Sequence, residues 1–135
     1  MSYIRYKNNN LFVESVSVKS LASKLSTPFY LYSEGNIIEN YRSFSNNFRK
    51  SNPLICFSVK ANSNIQILKV LKKMGSGADV VSGGELLKAI KSGIKPNKIV
   101  FSGVGKTEDE IKLAIKKNIL LINVESENEA ILIDK

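Results

Sequence analysis

Short apolar runs alternate with amphipathic stretches along most of the chain. From residue 54 onward the same unit occurs four times: an apolar run of strand length, a polar turn, then apolar residues at helical spacing. A series of this kind predicts parallel strands joined by right-handed helical crossovers. A doubly wound sheet and a (β/α)8 barrel both begin in this way, and the spacing alone does not separate them.

The pattern also sets approximate bounds for each element. The four predicted strands cover residues 54–57, 78–81, 98–101 and 119–124, and the helices after them cover residues 65–74, 84–92, 108–117 and 127 onward. If the strands closed into a barrel, Ile55 or Phe57 and Val100 would face its interior.

The first part of the chain carries a different pattern. Residues 11–16 predict a strand and residues 18–25 a helix. This strand suggests a second, β-rich domain, so we assign residues 1–26 to that domain and residues 27–135 to the βα series. A further helix, capped by Ser33, is predicted from Glu34 to about Arg49.

Three of the predicted helices begin with the same signal, a hydroxyl residue followed three positions later by glutamate. The pairs are Ser82 with Glu85, Thr107 with Glu110, and Ser126 with Glu129. Each pair matches a capping box, and a capping box directly after an apolar run marks the start of a helix in a βα unit.

Lys60 follows the apolar run 54–57 closely, and residues 62–64 then supply turn and capping chemistry for the next helix. Burial at such a position can depress the pKa of a lysine, which suits an amine that acts as a nucleophile. From residue type alone, a lysine that ends a strand and extends to solvent is the more common case. The sequence pattern leaves both interpretations open.

Composition narrows the classes of function. The net charge is +8, but the lysines are scattered over predicted helix faces rather than gathered in a patch, so no nucleic-acid partner is predicted. The chain has no histidine and one cysteine, Cys56, which excludes an internal disulfide, a zinc site built from several cysteines and a Ser-His-Asp triad. No apolar run has the length of a membrane span, so we expect no membrane partner and a cytoplasmic location.

Residues 103–107, GVGKT, are similar to the end of a phosphate-binding P-loop. That motif requires a glycine at position 100, which is Val100 here, inside a predicted strand. A nucleotide site is therefore not predicted at Lys106.

Residues 57–64, FSVKANSN, closely resemble the pyridoxal-phosphate attachment motif of the ornithine/diaminopimelate/arginine decarboxylase family. Residues 27–32, 77–86, 99–107 and 122–126 resemble further segments of that family, and the last two fit its diaminopimelate members best. The resemblance implies the N-terminal portion of a (β/α)8 barrel, of which this chain supplies about four βα units.

The resemblance also implies roles for individual residues. Lys60 becomes the lysine that binds pyridoxal 5'-phosphate covalently, and Asp79 becomes a cofactor-binding carboxylate near that linkage. Asp79 is equally explained as a strand-end residue that accepts backbone hydrogen bonds, and Glu85 is better explained by its capping box. No metal is implied. The family's phosphate loop, ring-nitrogen partner and substrate arginine correspond to positions beyond Lys135.

The activity implied by the resemblance is decarboxylation of meso-2,6-diaminopimelate to L-lysine, by an enzyme that is a homodimer when full length. The alternatives are decarboxylation of ornithine, arginine or carboxynorspermidine, and a non-catalytic barrel that only binds the cofactor. Because a complete barrel takes roughly 250 residues, we expect this chain to be a fragment that is inactive by itself.

Overall fold

The computed structural model describes residues 3–135 and divides into two compact units, one ending at Phe44 and one beginning at Ser45. The units are described one at a time. The assignment of residues 1–26 to a separate β-rich domain stays a prediction.

The first unit contains a three-stranded antiparallel sheet in the order β1-β2-β3. The strands are β1 (Ile4–Lys7), β2 (Asn10–Val13) and β3 (Val16–Ser17), followed by a short helix α1 (Val18–Ala22). Asn8 and Asn9 join the first two strands with φ values of 48° and 58°, as a two-residue hairpin turn with positive φ requires. The sequence pattern missed β1, and it joined β2 and β3 into one strand.

Helix α2 (Glu34–Asn46) begins where the sequence predicts and ends three residues before Arg49. The Ser33 hydroxyl accepts a hydrogen bond from the Asn36 backbone N–H at 3.0 Å, which confirms the predicted cap. Ser33 also donates to the Glu14 carboxylate at 2.6 Å, and the Gly35 N–H donates to the same oxygen at 2.9 Å. These two bonds lower the pKa of Glu14, the Ser33 bond having the larger effect.

The second unit is a parallel sheet in the order β4-β5-β6-β7, with a helix after each strand. Its strands are β4 (Cys56–Ser58), β5 (Gly77–Val80), β6 (Ile99–Phe101) and β7 (Leu121–Ile122). Its helices are α3 (Ile65–Lys73), α4 (Gly83–Lys91), α5 (Glu108–Lys116) and α6 (Glu127–Asp134). The four predicted βα units are therefore confirmed, and strands that are neighbours in the sheet also follow one another along the chain.

The core lies between one face of this sheet and the helices. It is formed by Val59, Leu68, Ala78, Val80, Leu86, Ala89, Ile94, Ile99, Phe101 and Ala114. Phe57 packs against this cluster, so the expectation that Phe57 faces a barrel interior is wrong. Because side chains alternate along a strand, the opposite face carries Ser58, Asp79 and Val100, which are aligned with one another in the parallel register.

The last strand is shorter than predicted. Only Leu121 and Ile122 of the run 119–124 pair with β6, and Leu121 is 51% exposed. Ile119 and Ile122 pack against the core, so the apolar character of the run reflects two core contacts and several exposed side chains.

Gly77 is a position where the fold depends on the absence of a side chain. A Cβ atom there would collide with the backbone carbonyl oxygen of Lys98 and lie 2.7 Å from Cys56 Sγ. We expect Gly77→Ala to lower the free energy of unfolding by about 1–3 kcal/mol, the usual cost of overpacking. Urea unfolding of the full-length protein measures this change.

The matched control is Gly84→Ala, because Gly84 lies in the first turn of α4 and a Cβ there meets only Ser82 Oγ at 3.9 Å. This change is expected to be neutral or to stabilise by up to about 1 kcal/mol, since alanine has the better helix propensity. Equal effects of the two substitutions would contradict the steric argument.

Candidate functional site

Lys60 lies in a 3-10 turn, Val59–Ala61, directly after β4. Val59 is completely buried in the core and fixes the turn, whereas Lys60 is exposed. Of the two interpretations that the sequence pattern left open, this position matches the lysine that extends to solvent. The Lys60 amine makes no hydrogen bond or ion pair with any of residues 3–135, so it is available to react.

The loop after Lys60 is held at several points. The Asn62 side chain accepts from the Asn64 N–H at 3.0 Å, and the Asn64 side chain caps α3 by accepting from the Gln66 N–H at 2.9 Å. The Lys88 amine of α4 donates to the Ser63 hydroxyl at 2.8 Å. The predicted cap chemistry is confirmed, and it anchors the segment that carries the amine.

Asp79 lies on β5, on the face opposite the core. The Ser102 hydroxyl donates to Asp79 Oδ1 at 2.5 Å, and the Ser58 hydroxyl donates to Oδ2 at 3.3 Å. The Asn123 side-chain amide in turn donates to Ser102 Oγ at 2.9 Å. These four residues belong to four successive βα units, and we refer to them as the hydroxyl ladder.

The ladder lies at the carboxyl ends of the strands, the edge at which barrel enzymes carry their functional residues. The interpretation of Asp79 as an acceptor of backbone bonds is not what the structure shows, since its described partners are the two hydroxyls. Sequence reasoning placed Ser102 at a strand end but did not assign it, Ser58 or Asn123 to the site. Their shared signal is a polar residue at the end of an apolar run.

Cys56 lies on β4 and is half-buried. Burial raises the pKa of its thiol, the Asp79 carboxylate raises it further, and Lys98 acts weakly in the opposite direction. The thiol is therefore held in its neutral form.

Lys106, in the segment that is similar to a P-loop, is a structural residue. Its side chain is 1% exposed, and its ammonium group lies 2.9 Å from the Glu129 carboxylate, itself 8% exposed. The same ammonium donates to the backbone carbonyls of Gly103 and Asn123, each at 2.7 Å. These three acceptors join the loop after β6, the residue after β7, and helix α6.

The glutamates of the three predicted capping boxes are all used at helix starts, but in two different ways. Thr107 and Glu110 form the complete box, and Glu110 also accepts from the Gly83 N–H at 2.7 Å. Glu85 instead accepts from the Val81 N–H at 2.9 Å, and Glu129 from the Glu125 N–H at 2.7 Å. The cap interpretation of Glu85 is thus supported by its geometry, shifted by one residue from the predicted box.

The contribution of Glu129 to the stability of the fold depends on pH. The Glu125 N–H and then the Lys106 ammonium hold the pKa of Glu129 below its ordinary value of 4.5. A carboxylate with a lowered folded-state pKa stabilises the fold fully above its ordinary value, and that contribution is lost as pH falls through the folded-state pKa. We expect the temperature of the thermal midpoint, measured by circular dichroism, to decrease as the pH is lowered below about 4.5. In the Glu129→Gln variant this decrease with pH is expected to be less steep. If the thermal midpoints of the wild type and the variant decreased equally with pH, this role of Glu129 would be contradicted.

Comparison with known proteins places this geometry in a family. Residues 34–135 match the family described as pyridoxal-dependent decarboxylase, pyridoxal binding domain. A diaminopimelate decarboxylase of Aquifex aeolicus is 47% identical over 127 residues, which are 94% of this chain and 30% of the relative. The chain thus spans about a third of the length of such relatives.

Solved structures give the same result. Diaminopimelate decarboxylase from M. jannaschii, in co-complex with L-lysine, superimposes with a TM-score of 0.93 at 39% identity, over 97% of this chain and 32% of that one. The Selenomonas ruminantium lysine decarboxylase in complex with PLP and cadaverine gives a TM-score of 0.81 at 25% identity, over 98% of this chain and 32% of that one.

This chain therefore belongs to the pyridoxal-dependent decarboxylases, in their pyridoxal binding domain. The predicted fold class, the N-terminal portion of a (β/α)8 barrel, and the predicted cofactor, pyridoxal phosphate, are both confirmed at this level. Among residues 3–135, no helix combines the length and apolar character needed to cross a bilayer.

The described residues fit this cofactor. Covalent attachment needs a primary amine that no other group occupies, and Lys60 provides one. A cationic linkage favours a carboxylate close by, and Asp79 lies on the neighbouring strand, aligned with Ser58, two residues before Lys60.

Proposed function

We propose that this chain carries the cofactor-attachment site of a decarboxylase that converts meso-2,6-diaminopimelate to L-lysine. The observation that carries the proposal is the exposed amine of Lys60, which has no partner among residues 3–135 and lies at the carboxyl edge of the sheet, the edge that also carries the hydroxyl ladder. Its support from comparison is the level of identity to diaminopimelate decarboxylases over most of the chain.

Each residue has a defined task in this proposal. The cofactor, when bound, supplies an electron sink for the carbon that loses carbon dioxide. Lys60 would hold the cofactor covalently through its amine and, when that amine is free, would hold a proton at its nitrogen for transfer. Asp79 binds the cofactor electrostatically, as a carboxylate near the positively charged linkage. Glu85 shapes the start of α4.

The finer choice of substrate rests on the relatives. The M. jannaschii enzyme was solved with L-lysine, the product of the proposed reaction. The similarity to a lysine decarboxylase keeps the related amino-acid decarboxylases as the second candidate. The third candidate is a barrel that binds the cofactor without catalysis.

A homodimer and a cytoplasmic location are also part of the proposal, as is the contribution of residues 1–26 to a β-rich domain. They rest on the family resemblance. Sedimentation of the full-length protein tests the dimer, and a monomer that is fully active would contradict it.

The deciding experiment uses the full-length protein with pyridoxal phosphate. Carbon dioxide release is measured with meso-diaminopimelate, ornithine, arginine, carboxynorspermidine and lysine, and the expected result is turnover of the first substrate with formation of lysine. Turnover of another member of the panel alone would favour the second candidate, and binding of the cofactor without turnover would favour the third.

The attachment site is tested on the same preparation. Borohydride reduction fixes the cofactor to its lysine, and peptide mass spectrometry then locates it. We expect the label on the peptide that contains Lys60. A label on Lys106, or one spread over surface lysines, would contradict the assignment.

A further inference from the structure

The hydroxyl ladder has a defined direction. An amide nitrogen only donates and a carboxylate only accepts, so Asn123 must donate to Ser102, and Ser102 must donate to Asp79. Ser58 donates to the other carboxylate oxygen. Every donor in the ladder therefore points towards Asp79, and both oxygens of its carboxylate are engaged.

The distances rank the members of the ladder. The bond from Ser102 to Asp79, at 2.5 Å, lies at the short end of the range for a hydroxyl bound to a carboxylate. The bond from Ser58, at 3.3 Å, is longer than an ordinary hydroxyl bond and is therefore weak. Ser102 is the main contact that fixes the carboxylate orientation.

The far end of the ladder is itself anchored. The Asn123 carbonyl accepts from Lys106 at 2.7 Å while its side chain donates to Ser102. The buried Lys106–Glu129 pair thus holds the backbone of the residue that supports Ser102. Asn123, after β7, thus supports Ser102, after β6, and Ser102 holds Asp79 at the sheet edge where Lys60 lies.

We propose that Ser102, supported by Asn123 and assisted by Ser58, is a positioning residue that orients the Asp79 carboxylate towards the cofactor bound at Lys60. The inference rests on the proposed function, because it requires the cofactor at Lys60, and it extends that function to three residues with no assigned role. A carboxylate stabilises a nearby positive charge only while it is held close to that charge. Without Ser102, the Asp79 carboxylate keeps only the weak bond from Ser58 and is held less firmly.

Several charged and titratable groups lie on or next to the strands that flank Asp79, among them Lys98, whose ammonium donates to the Gly75 carbonyl at 3.1 Å. Cys56 lies on β4 on the same side, and its thiol is held neutral by burial and by Asp79 itself. Lys60 follows β4, and on the β6 and β7 side the ammonium of Lys106 is already paired with Glu129. Glu85, after β5, is engaged at the Val81 N–H. Among these cations, Lys60 is the one with no described partner.

The test is spectroscopic and uses the full-length, cofactor-loaded protein. The pH midpoint of the visible absorbance band and the circular dichroism of that band are recorded for the wild type and for the variants. Asp79→Asn removes the carboxylate, so the protonated linkage is less stable and the midpoint is expected to fall by about one pH unit. Ser102→Ala is expected to move the midpoint in the same direction by a smaller amount, and to reduce the visible dichroism.

Two further variants separate positioning from stability. Ser102→Thr keeps the hydroxyl and is expected to restore the wild-type midpoint. Ser76→Ala removes a buried hydroxyl at the other end of the sheet, where Ser76 bonds the carbonyls of Ile55 and Gly77. It is expected to lower the thermal midpoint without moving the visible band.

The outcomes distinguish the two proposals. If Lys60→Ala keeps the wild-type visible band, the proposed function fails. If the band depends on Lys60 while the Ser102→Ala spectra match the wild type at every pH, only the positioning inference is overturned. It is also overturned if Ser76→Ala moves the band as far as Ser102→Ala does.

Discussion

Replacing Lys60 with alanine is expected to remove the visible absorbance of the cofactor-loaded, full-length protein and to lower decarboxylation by at least about 10²–10⁴-fold, the range typical for loss of a positioned proton-transfer group. The physical reason is that Lys60 supplies the only atom through which this site binds the cofactor covalently in our proposal. Absorbance and single-turnover release of carbon dioxide measure the two effects.

The same substitution is expected to leave the fold intact. Lys60 is exposed and makes no described hydrogen bond or ion pair, so the free energy of unfolding of the cofactor-free protein should change by no more than about 0.5 kcal/mol. Lys69→Ala, at an exposed position on α3, is the control for the loss of a lysine. Comparable loss of the visible band in both variants would refute the assignment.

Replacing Lys106 with methionine is expected to lower the free energy of unfolding by about 3–5 kcal/mol, because it leaves the buried Glu129 carboxylate without its cation. The loss also frees the carbonyls of Gly103 and Asn123 from a charged donor. Since whole domains are stable by only about 5–15 kcal/mol, this single change removes a large share of the stability. Urea unfolding at neutral pH measures it.

The chain offers a matched pair for comparison. Lys112 and Glu108 also form an ion pair, at 2.6 Å, but their side chains are 68% and 59% exposed. Lys112→Met is expected to have little effect on the free energy of unfolding, because water screens an ion pair this exposed. The double variant Lys106→Met with Glu129→Leu should regain much of the lost stability, because it leaves no unpaired buried charge. If Lys106→Met lowered the free energy of unfolding no more than Lys112→Met does, the buried Lys106–Glu129 pair would be shown to contribute little to stability.

Features that depend on neighbouring residues were predicted well from the sequence. The strand–turn–helix units follow from apolar runs and Ser/Thr-x-x-Glu signals, and the start of α3 at Asn64 and of α5 at Thr107 followed from capping. Strand β1 was missed although residues 4–7 alternate between apolar and polar side chains and Asn8-Asn9 is a usable hairpin signal. The run has only four residues, and all of them are exposed, so no buried face marks it as a strand.

Features that depend on register were not predicted. Which face Phe57 occupies is decided by the phase of a three-residue strand, and one position of error reverses it. The partners of Asp79 come from residues 21 and 23 positions away, and Glu129 lies 23 positions from Lys106. A local pattern holds no information on such pairs, so Lys60 and Asp79 were identified through family resemblance rather than through spacing.

The hydrogen bonds of the Lys106 ammonium affect which lysines of the protein can be chemically modified. An ammonium has three donor hydrogens, and here each has an acceptor: Gly103, Asn123 and Glu129. Acylating reagents need an accessible amine, so Lys106 should stay unmodified in the folded protein, whereas the exposed Lys60 should be modified in the cofactor-free protein. Arginine could not replace Lys106 by charge alone, because its planar fork does not match three acceptors around one nitrogen. The lysine of a glycine-rich GKT segment can thus bind phosphate only if its ammonium has a donor hydrogen that is not already bonded to the protein.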